Sequence, residues 1–114
     1  MIGGPGLSLQ GSIRVSVNEI AHIRIAPENS DGFEAAVAKA VPLFREARGC
    51  RAMRLDRSIE EPGAYMLVVT WDTVEDHMVH FRESPAFQEW RDLVGGFFAA
   101  PPQVGHVEAV VTGF

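Results

Sequence analysis

The feature that most constrains the fold is the order in which the hydrophobic period of the sequence switches between two residues and about 3.6 residues. Residues 19–26 alternate as a strand does, with Ile20 and His22 on one face and Ala21 and Ile23 on the other. Apolar side chains then recur at helical spacing, at Phe33, Val37, Ala40, Val41 and Phe44. The first two elements are therefore predicted to be a strand and an amphipathic helix.

Local signals mark the ends of this first helix. Asp31, followed by Glu34 three residues later, has the spacing of a capping box, which favours a helix that begins there. Pro42 removes one backbone hydrogen bond, so a kink or an early end of the helix is expected. Gly49 is the expected C-terminal cap.

Two strands are predicted directly after this helix. Residues 50–58 and 64–71 both have strand patterns. The segment 60–63, with the sequence EEPG, has the composition of a turn. The two strands are therefore expected to pair as a hairpin.

A second helical region and a last strand complete the order. Thr73 with Asp76 has the capping-box spacing at the start of this region. Ser84 and Pro85 restart the helix, because serine caps helices and proline is tolerated in their first turn. Residues 103–112 form the predicted last strand.

The resulting order, strand, helix, strand, strand, helix, strand, predicts an α+β fold of the ferredoxin-like βαββαβ type. One antiparallel sheet with both helices on one face satisfies this order and the right-handed crossover rule. A length of 114 residues suits one domain, predicted over residues 19–114. Residues 1–18 are predicted to be an N-terminal arm or an extra strand, since residues 13–17 alternate like a short strand.

The predicted third strand carries apolar residues on both faces. Tyr65, Leu67 and Val69 lie on one face, and Met66 and Val68 lie on the other. Two helices cover only one face of a sheet, so the second face needs another cover. We therefore predict a homodimer whose sheets pack face to face.

Composition excludes several classes of partner and site. The net charge of −5 and the scatter of the ten basic residues argue against a nucleic-acid-binding protein. A single cysteine, Cys50, allows no internal disulfide and no structural zinc site, which suits a reducing compartment. The first ten residues lack the pattern of a secretion signal, and no segment has the length of a membrane span. A cytoplasmic protein without membrane association is expected.

Residues 71–90, with the sequence WDTVEDHMVHFRESPAFQEW, resemble the antibiotic biosynthesis monooxygenase (ABM) family. The similarity consists of a Trp at a strand end, then a His, then Phe-Arg-x-Ser, then an aromatic residue and a Trp. Gly49-Cys50 resembles the start of the family's second strand, and the proline-rich sequence 101–109 resembles its approach to the last strand. The resemblance extends over about residues 19–112.

This resemblance implies a dimeric α+β barrel with a pocket in each subunit between helices and sheet. Characterised members include monooxygenases that oxidise phenolic polyketides or quinols without metal or flavin. Other members degrade haem, isomerise small metabolites or have no known activity, so membership does not by itself fix the function.

The haem-degrading branch fits this sequence poorly. Its Trp, axial His and Asn align with Phe81, Arg91 and about Ile23, and none of these residues matches. The cofactor-independent branch uses a Trp at the end of the third strand and an Arg on the second helix, which align with Trp71 and Arg91. The resemblance therefore favours a protein with no cofactor.

Cofactor-free oxygenation requires a base, a cation for the substrate anion, and a dry pocket that holds oxygen. Histidine is the natural base near neutral pH, and arginine suits the anion. The candidate catalytic residues are His80, His22 and Arg91. The candidate substrate-binding residues are Trp71, His77, Phe81 and Tyr65. Each also has a structural interpretation, as a core residue, a satisfied strand histidine or a solvated side chain.

No metal site is predicted. His77 and His80, three residues apart, could share a helix face, but no third ligand stands at a recognisable spacing.

The functional hypothesis is a cofactor-independent monooxygenase that oxidises a small aromatic or phenolic substrate, such as an anthrone or a quinol, with O2. The alternatives are a non-catalytic dimeric module that binds a small ligand, and an isomerase of a small metabolite. A closed apolar cavity with a His or Arg pointing inward would favour an enzyme.

Overall fold

The computed structural model describes residues 16–114. Its strands are β1 (Val17–Arg24), β2 (Cys50–Arg57), β3 (Ala64–Trp71) and β4 (Gln103–Val107). Its helices are α1 (Ser30–Arg45), a π-helix (Asp76–Phe81) and α2 (Pro85–Val94), with 3-10 turns at Pro27–Asn29 and Gly95–Phe97.

The four strands form one antiparallel sheet in the order β2-β3-β1-β4. Strand β1 therefore lies inside the sheet, between β3 and β4, although it is the first strand of the described chain. This is the ferredoxin-like arrangement, and the predicted fold class is confirmed. The predicted hairpin is also confirmed, since β2 pairs with β3 through the turn that contains Gly63 at φ 83°.

The core lies between one face of this sheet and the helices. Strand alternation places Ala21 and Ile23 of β1 on that face, as predicted. The fully buried side chains include three from the sheet and two from α1: Ile23, Leu67, Trp71, Phe33 and Phe44. Both α1 and α2 pack together over this face, so the apolar stripes of the sequence meet in one layer.

The start of α1 differs from the prediction. A 3-10 turn leads into the helix, which begins at Ser30 with Asn29 at the capping position and no side-chain cap. Asp31 therefore already lies within the first turn, and the Asp31–Glu34 capping box is wrong. The Glu34 carboxylate instead accepts a hydrogen bond of 2.6 Å from the Tyr65 hydroxyl.

The end of α1 also differs. The helix continues past Pro42 to Arg45, and the Pro42 carbonyl accepts a hydrogen bond from Glu46 N–H at 3.1 Å. The expected early end is therefore wrong: Pro42 lies in the last turn, and its carbonyl still accepts a helical hydrogen bond. Gly49 lies beyond the cap, in the turn before β2, with a φ of 76°. A side chain there would overlap the Asp76 carboxylate, so close packing as well as backbone conformation requires glycine.

The second helical region begins as predicted but has an unexpected form. Thr73 Oγ1 accepts a hydrogen bond of 3.0 Å from Asp76 N–H. The following turn is a π-helix, whose wider winding changes which residues share a face. Ser84 caps α2 by accepting from Phe87 N–H, and Pro85 occupies the first turn, which confirms that prediction.

The chain ends also depart from the predicted boundaries. Strand β1 begins at Val17, two residues before the predicted start, because Val17 and Asn18 still pair with β3. Strand β4 ends at Val107, and the segment that follows has no strand pairing within residues 16–114. The predicted extension to residue 112 is therefore wrong. Residues 1–15, most of the predicted arm, lie outside the described residues.

The other face of the sheet carries no helix of the described chain. Ile20 of β1 and Val68 of β3 are paired at its centre, and Met66 lies beside them. His22 and Arg24 are exposed on the same face. Within residues 16–114, no helix is both long and apolar enough to cross a membrane.

Candidate active site

A cavity of about 660 Å³ lies between the helix-facing side of the sheet and α2. Strand alternation supplies its floor, because every second residue of β1 and β3 faces the helices. The apolar lining comes from β1 and β3, from α2, from the segment before β4 and from β4 itself: Ala21, Ile23, Leu67, Phe87, Trp90, Phe98 and Val104. The cavity has the size and lining of a small-molecule site.

Two ionisable groups are buried against this apolar lining. Glu19 follows the same alternation as Ala21 and Ile23, so its carboxylate points inward, and the residue is 5% exposed. His77, in the first turn of the π-helix, is 4% exposed. Both residues line the cavity. Charged side chains are rarely buried unless they are paired, so these two need partners.

The partners form a continuous chain of polar contacts. Trp71 Nε1 donates a hydrogen bond of 3.0 Å to Glu19 Oε1. His77 Nε2 lies 3.3 Å from the same carboxylate oxygen. The other ring nitrogen, His77 Nδ1, lies 2.8 Å from Nε2 of His106 on β4. Four residues from four different elements are thus joined side chain to side chain.

Burial shifts the pKa values of the ionisable groups in this row of polar contacts. It raises the pKa of Glu19 to about 7, against the opposing effects of the Trp71 hydrogen bond and the Arg82 charge. Burial also lowers the pKa of His77 to about 4, with further lowering from His106 and Arg82. The pKa of His106 is lowered by burial as well. Near neutral pH the histidines are therefore uncharged, and Glu19 is the group that exchanges a proton.

Aromatic packing fixes the position of the His77 ring. The Trp71 ring stacks on His77 with centroids 5.3 Å apart and planes inclined by 19°. Phe81, four residues after His77, also packs on Trp71, with ring centroids 5.4 Å apart. The π-helix itself is held at Asp76, which approaches Gly49 and lies 3.5 Å from Arg48 Nε. The imidazole is therefore held by packing as well as by its hydrogen bond to His106.

Two arginines supply positive charge at the cavity. Arg82 and Arg91 both line it, and their guanidinium carbons lie 5.3 Å and 5.9 Å from the centre of the Phe87 ring. Neither guanidinium forms an ion pair with a carboxylate of residues 16–114. Both charges are thus available to an anion that enters the cavity.

Two residues predicted from the sequence, Arg91 and His77, line the cavity. Trp71 and Phe81 lie directly behind it as buried core residues, and Trp71 reaches the site through Glu19. The structure thus brings these four residues together, and the roles predicted for them stay predictions.

The other three predicted residues lie elsewhere. His22 is exposed on the opposite face of the sheet. Tyr65 lies at the start of β3, six residues from Trp71 or about 20 Å along the strand, where it binds Glu34. His80 lines a separate depression with Ala47. In the π-helix, His77 and His80 point to different surroundings, because the wider turn breaks the α-helical three-residue spacing.

Three residues that line the cavity or contact His77 were not among the predicted site residues: Glu19, Arg82 and His106. For Glu19 a signal existed, since its alternation places a carboxylate on the apolar face of β1. Arg82 stands in the Phe-Arg-x-Ser sequence without a periodic signal of its own. For His106, only strand pairing beside Glu19 reveals its contact with His77.

Within the described range 16–114, no group of three His, Cys, Asp or Glu side chains is arranged to hold a metal ion. Both nitrogens of His77 already face protein partners. The polar residues therefore form a chain rather than a convergent ligand set.

The sequence model of the antibiotic biosynthesis monooxygenases matches residues 16–93, which include β1, α1, the π-helix, all but the last residue of α2, and the Glu19–His77 pair. The chain belongs to this family. Within the family, it is 55% identical to a Bordetella bronchiseptica protein provisionally named an antibiotic biosynthesis monooxygenase. That crystal structure superposes with a TM-score of 0.83 and covers 85% of this chain and 99% of its own.

Two further relatives extend the comparison. The uncharacterized protein YczJ of Bacillus subtilis is 35% identical over 94 residues, which are 82% of this chain and 99% of YczJ. A mutant of SnoaB, a cofactor-independent oxygenase from Streptomyces nogalater, superposes with a TM-score of 0.71 at 17% identity, covering 86% of this chain and 96% of its own. At that identity the likeness to SnoaB shows a shared fold.

Proposed function

We propose that this family member is a cofactor-independent monooxygenase that oxidises a small aromatic phenol, of the anthrone or quinol type, with O2. The observation that carries the proposal is the buried Glu19–His77 pair on the wall of a cavity of about 660 Å³ that is also lined by Phe87 and Trp90. A carboxylate with a pKa of about 7 is suited to take a proton at neutral pH. The fold shared with SnoaB, a cofactor-independent oxygenase, supports the same chemistry.

The first step is removal of a proton from the substrate by Glu19. The substrate's acidic O–H or C–H bond breaks, its electron pair stays on the substrate, and an O–H bond forms on the carboxylate. The Trp71 hydrogen bond and His77 hold the carboxylate in place for this transfer. Glu19 replaces the histidines predicted as bases, since neither His22 nor His80 lines the cavity.

The second requirement is stabilisation of the substrate anion. Arg82 and Arg91 line the cavity, and no carboxylate of residues 16–114 forms an ion pair with either, so their charges can face a phenolate or enolate oxygen. Trp90 and Phe87 offer apolar and aromatic surface for the ring system. The site thus combines a base with cations that favour the product of deprotonation.

The anion then reduces O2 by one electron, and the two radicals combine to form a C–O bond. Protonation gives a hydroperoxide. For an anthrone, loss of water from this hydroperoxide leaves the quinone, so one oxygen atom enters the product and the other leaves as water. The aromatic side chains of the lining, Phe87 and Trp90, leave less water beside the radical pair, which favours this sequence.

We also propose that the protein acts as a homodimer. The outer sheet face pairs Ile20 with Val68 at its centre and adds Met66, a surface with no helix of the described chain over it. Val68 is already buried, and a second copy of the same face would bury the half-exposed Ile20 and Met66 as well. The cavity lies on the opposite side of the sheet, so each subunit would keep its own site.

Oxygen uptake by the purified protein tests the proposal. Dithranol, an anthrone, is supplied with a metal chelator and with no flavin or nicotinamide. Uptake well above spontaneous autoxidation, with transfer of label from 18O2 to the quinone, is the expected result. Glu19→Gln should lower the rate ~100-fold or more, because it removes the base. Arg91→Gln should lower it ~10-fold or more, because it removes one cation for the substrate anion. Glu28→Gln and Arg45→Gln, exposed residues away from the cavity, are the matched controls.

Two results would overturn the proposal in favour of its alternatives. Exchange of substrate hydrogen for solvent deuterium without oxygen uptake would indicate an isomerase that uses the same base. Tight binding of dithranol and hydroquinones without exchange or uptake would indicate a binding module.

A further inference from the structure

The cavity carries more positive than negative charge. Within residues 16–114, the ionisable side chains that line it are Glu19, His77, Arg82 and Arg91. His77 is uncharged near neutral pH, because burial lowers its pKa to about 4. Two guanidinium groups therefore accompany one carboxyl group, in a chain whose net charge is −5. This local excess of positive charge favours an anionic ligand in the cavity.

Deprotonation of a neutral phenol by Glu19 does not balance this excess. Before the proton moves, the ionised carboxylate supplies one negative charge beside the two arginines. After it moves, the substrate anion supplies that charge and the carboxyl is neutral. One guanidinium therefore lacks a counter-charge at both stages. Residues 16–114 do not supply one, since neither Arg82 nor Arg91 forms an ion pair with a carboxylate there.

The two arginines differ in their relation to the base. The charge of Arg82 lowers the pKa values of both Glu19 and His77, so it acts directly on the group that takes the proton. Arg91, nine residues later on α2, lines the same cavity but is not among the causes of either shift. Arg82 is therefore the cation for the oxygen that loses its proton, and Arg91 is left for a second anionic group.

Both guanidinium groups are open to a ligand. Their carbons lie 5.3 Å and 5.9 Å from the centre of the same Phe87 ring, so one molecule of two or three fused rings can reach both. Arg82 also contacts the uncharged Met78 sulfur at 3.9 Å. Because both arginine side chains are exposed, an anion can approach them without displacing a charged partner. A carboxylate suits this position, because its two oxygens match the paired donors of a guanidinium group.

We propose that the substrate is an aromatic carboxylate, a phenolic or anthrone ring system with one permanent carboxylate that Arg91 binds while Arg82 faces the oxygen that loses its proton. This substrate class rests on the proposed function of the same site. The carboxylate adds the second negative charge, so the loaded cavity stays neutral overall throughout the proton transfer. A phosphate ester, with a charge of about −1.5 to −2, would exceed that balance and oppose deprotonation.

Calorimetric binding of rhein and of its carboxamide tests the proposal without turnover. Rhein is the quinone of dithranol with one added carboxylate, and the carboxamide has the same shape without the charge. The wild type should bind rhein at least about tenfold more tightly than the carboxamide. Arg91→Gln should abolish this preference by weakening rhein alone, whereas Arg82→Gln should keep most of it and the control Arg45→Gln all of it. Equal affinities in the wild type, or a preference that Arg91→Gln retains, would overturn the proposal.

Oxygen uptake with the corresponding anthrones separates this proposal from the proposed function. In the wild type, kcat/KM should be about tenfold higher for rhein anthrone than for its carboxamide, and Arg91→Gln should make the two equal. Uptake with equal kcat/KM for both compounds in the wild type would overturn the carboxylate and leave the monooxygenase intact. No uptake with either compound, together with an Arg91-dependent preference for rhein, would refute the monooxygenase and support the carboxylate site.

Discussion

The indole nitrogen of Trp71 and the carboxylate of Glu19 are joined by a hydrogen bond of 3.0 Å, although 52 residues separate them in the chain. The bond is possible because β1 and β3 are antiparallel neighbours and both side chains face the helices. Trp71 is fully buried, so its family-like position at the end of β3 serves the site through Glu19. A charged hydrogen bond of this kind favours the ionised carboxylate.

Loss of this hydrogen bond should raise the pKa of Glu19 further. Trp71→Phe keeps an aromatic ring on His77 but removes the N–H donor. A hydrogen bond to a charged group contributes about 1.5–3 kcal/mol, so the pKa should rise by roughly 1–2 units. The acid limb of the pH–rate profile for oxygen uptake measures the change. An unshifted limb would show that the indole does not control Glu19.

The pH dependence of stability should report the burial of Glu19. Its folded pKa of about 7 lies above the ordinary value of 4.5. Between these values the folded state keeps a proton that the unfolded state has lost, so the free energy of unfolding falls as pH rises. The full cost, roughly 3 kcal/mol, is present above about pH 7.

Glu19→Gln removes this contribution. The variant should therefore gain stability relative to the wild type as pH rises from about 4.5 to about 7, as measured by urea unfolding at several pH values. His77, whose pKa is lowered to about 4, contributes in the opposite sense below about pH 6.5 and cancels in the comparison. Glu28→Gln should show no such trend, and a constant difference between Glu19→Gln and wild type would contradict a raised pKa.

The two cavity arginines should differ in their effect on pH dependence. Arg82 lowers the pKa values of both Glu19 and His77 through its charge. Arg82→Gln should therefore shift the acid limb of the pH–rate profile to higher pH. Arg91→Gln should lower the rate without this shift, since Arg91 is not among the causes of either change. Equal shifts in both variants would show that Arg82 has no special relation to Glu19.

Gly49 should be intolerant of a side chain. Its φ of 76° strains other residues, and a Cβ there would overlap the Asp76 carboxylate. Gly49→Ala should lower the free energy of unfolding by about 1–3 kcal/mol, as measured by urea unfolding. Gly96→Ala is the matched control, because a Cβ at Gly96 meets no atom within 4 Å. Similar losses in both variants would argue against the Asp76 contact.

The outer sheet face should control the oligomeric state. Met66→Lys places a charge beside the Ile20–Val68 pair and should convert a dimer to a monomer in sedimentation velocity. Ile59→Lys changes an equally apolar residue that is 94% exposed in the hairpin turn, away from this face, and should leave the dimer intact. A wild-type monomer, or a Met66→Lys dimer, would refute the proposed interface.

Local periodicity was sufficient to predict the fold. The alternation of β1 and the hairpin turn at Gly63 are short-range features, and so is the Ser84–Pro85 start of α2. The motif around Trp71 was sufficient to indicate the family. These features depend on residues close together in the sequence, where backbone sterics and burial of one face act directly.

Tertiary structure decided the site. The alternation of β1 puts Glu19 on the same face as Ala21 and Ile23, but only the pairing of β1 with β3 and β4 brings it to Trp71 and places His106 opposite. Likewise, the histidine spacing did not show that His77 turns inward and His80 away, because that spacing was interpreted as α-helical whereas the segment is a π-helix. Proton affinity follows from burial among residues distant in sequence, so no local pattern could have identified Glu19 as the titrating group.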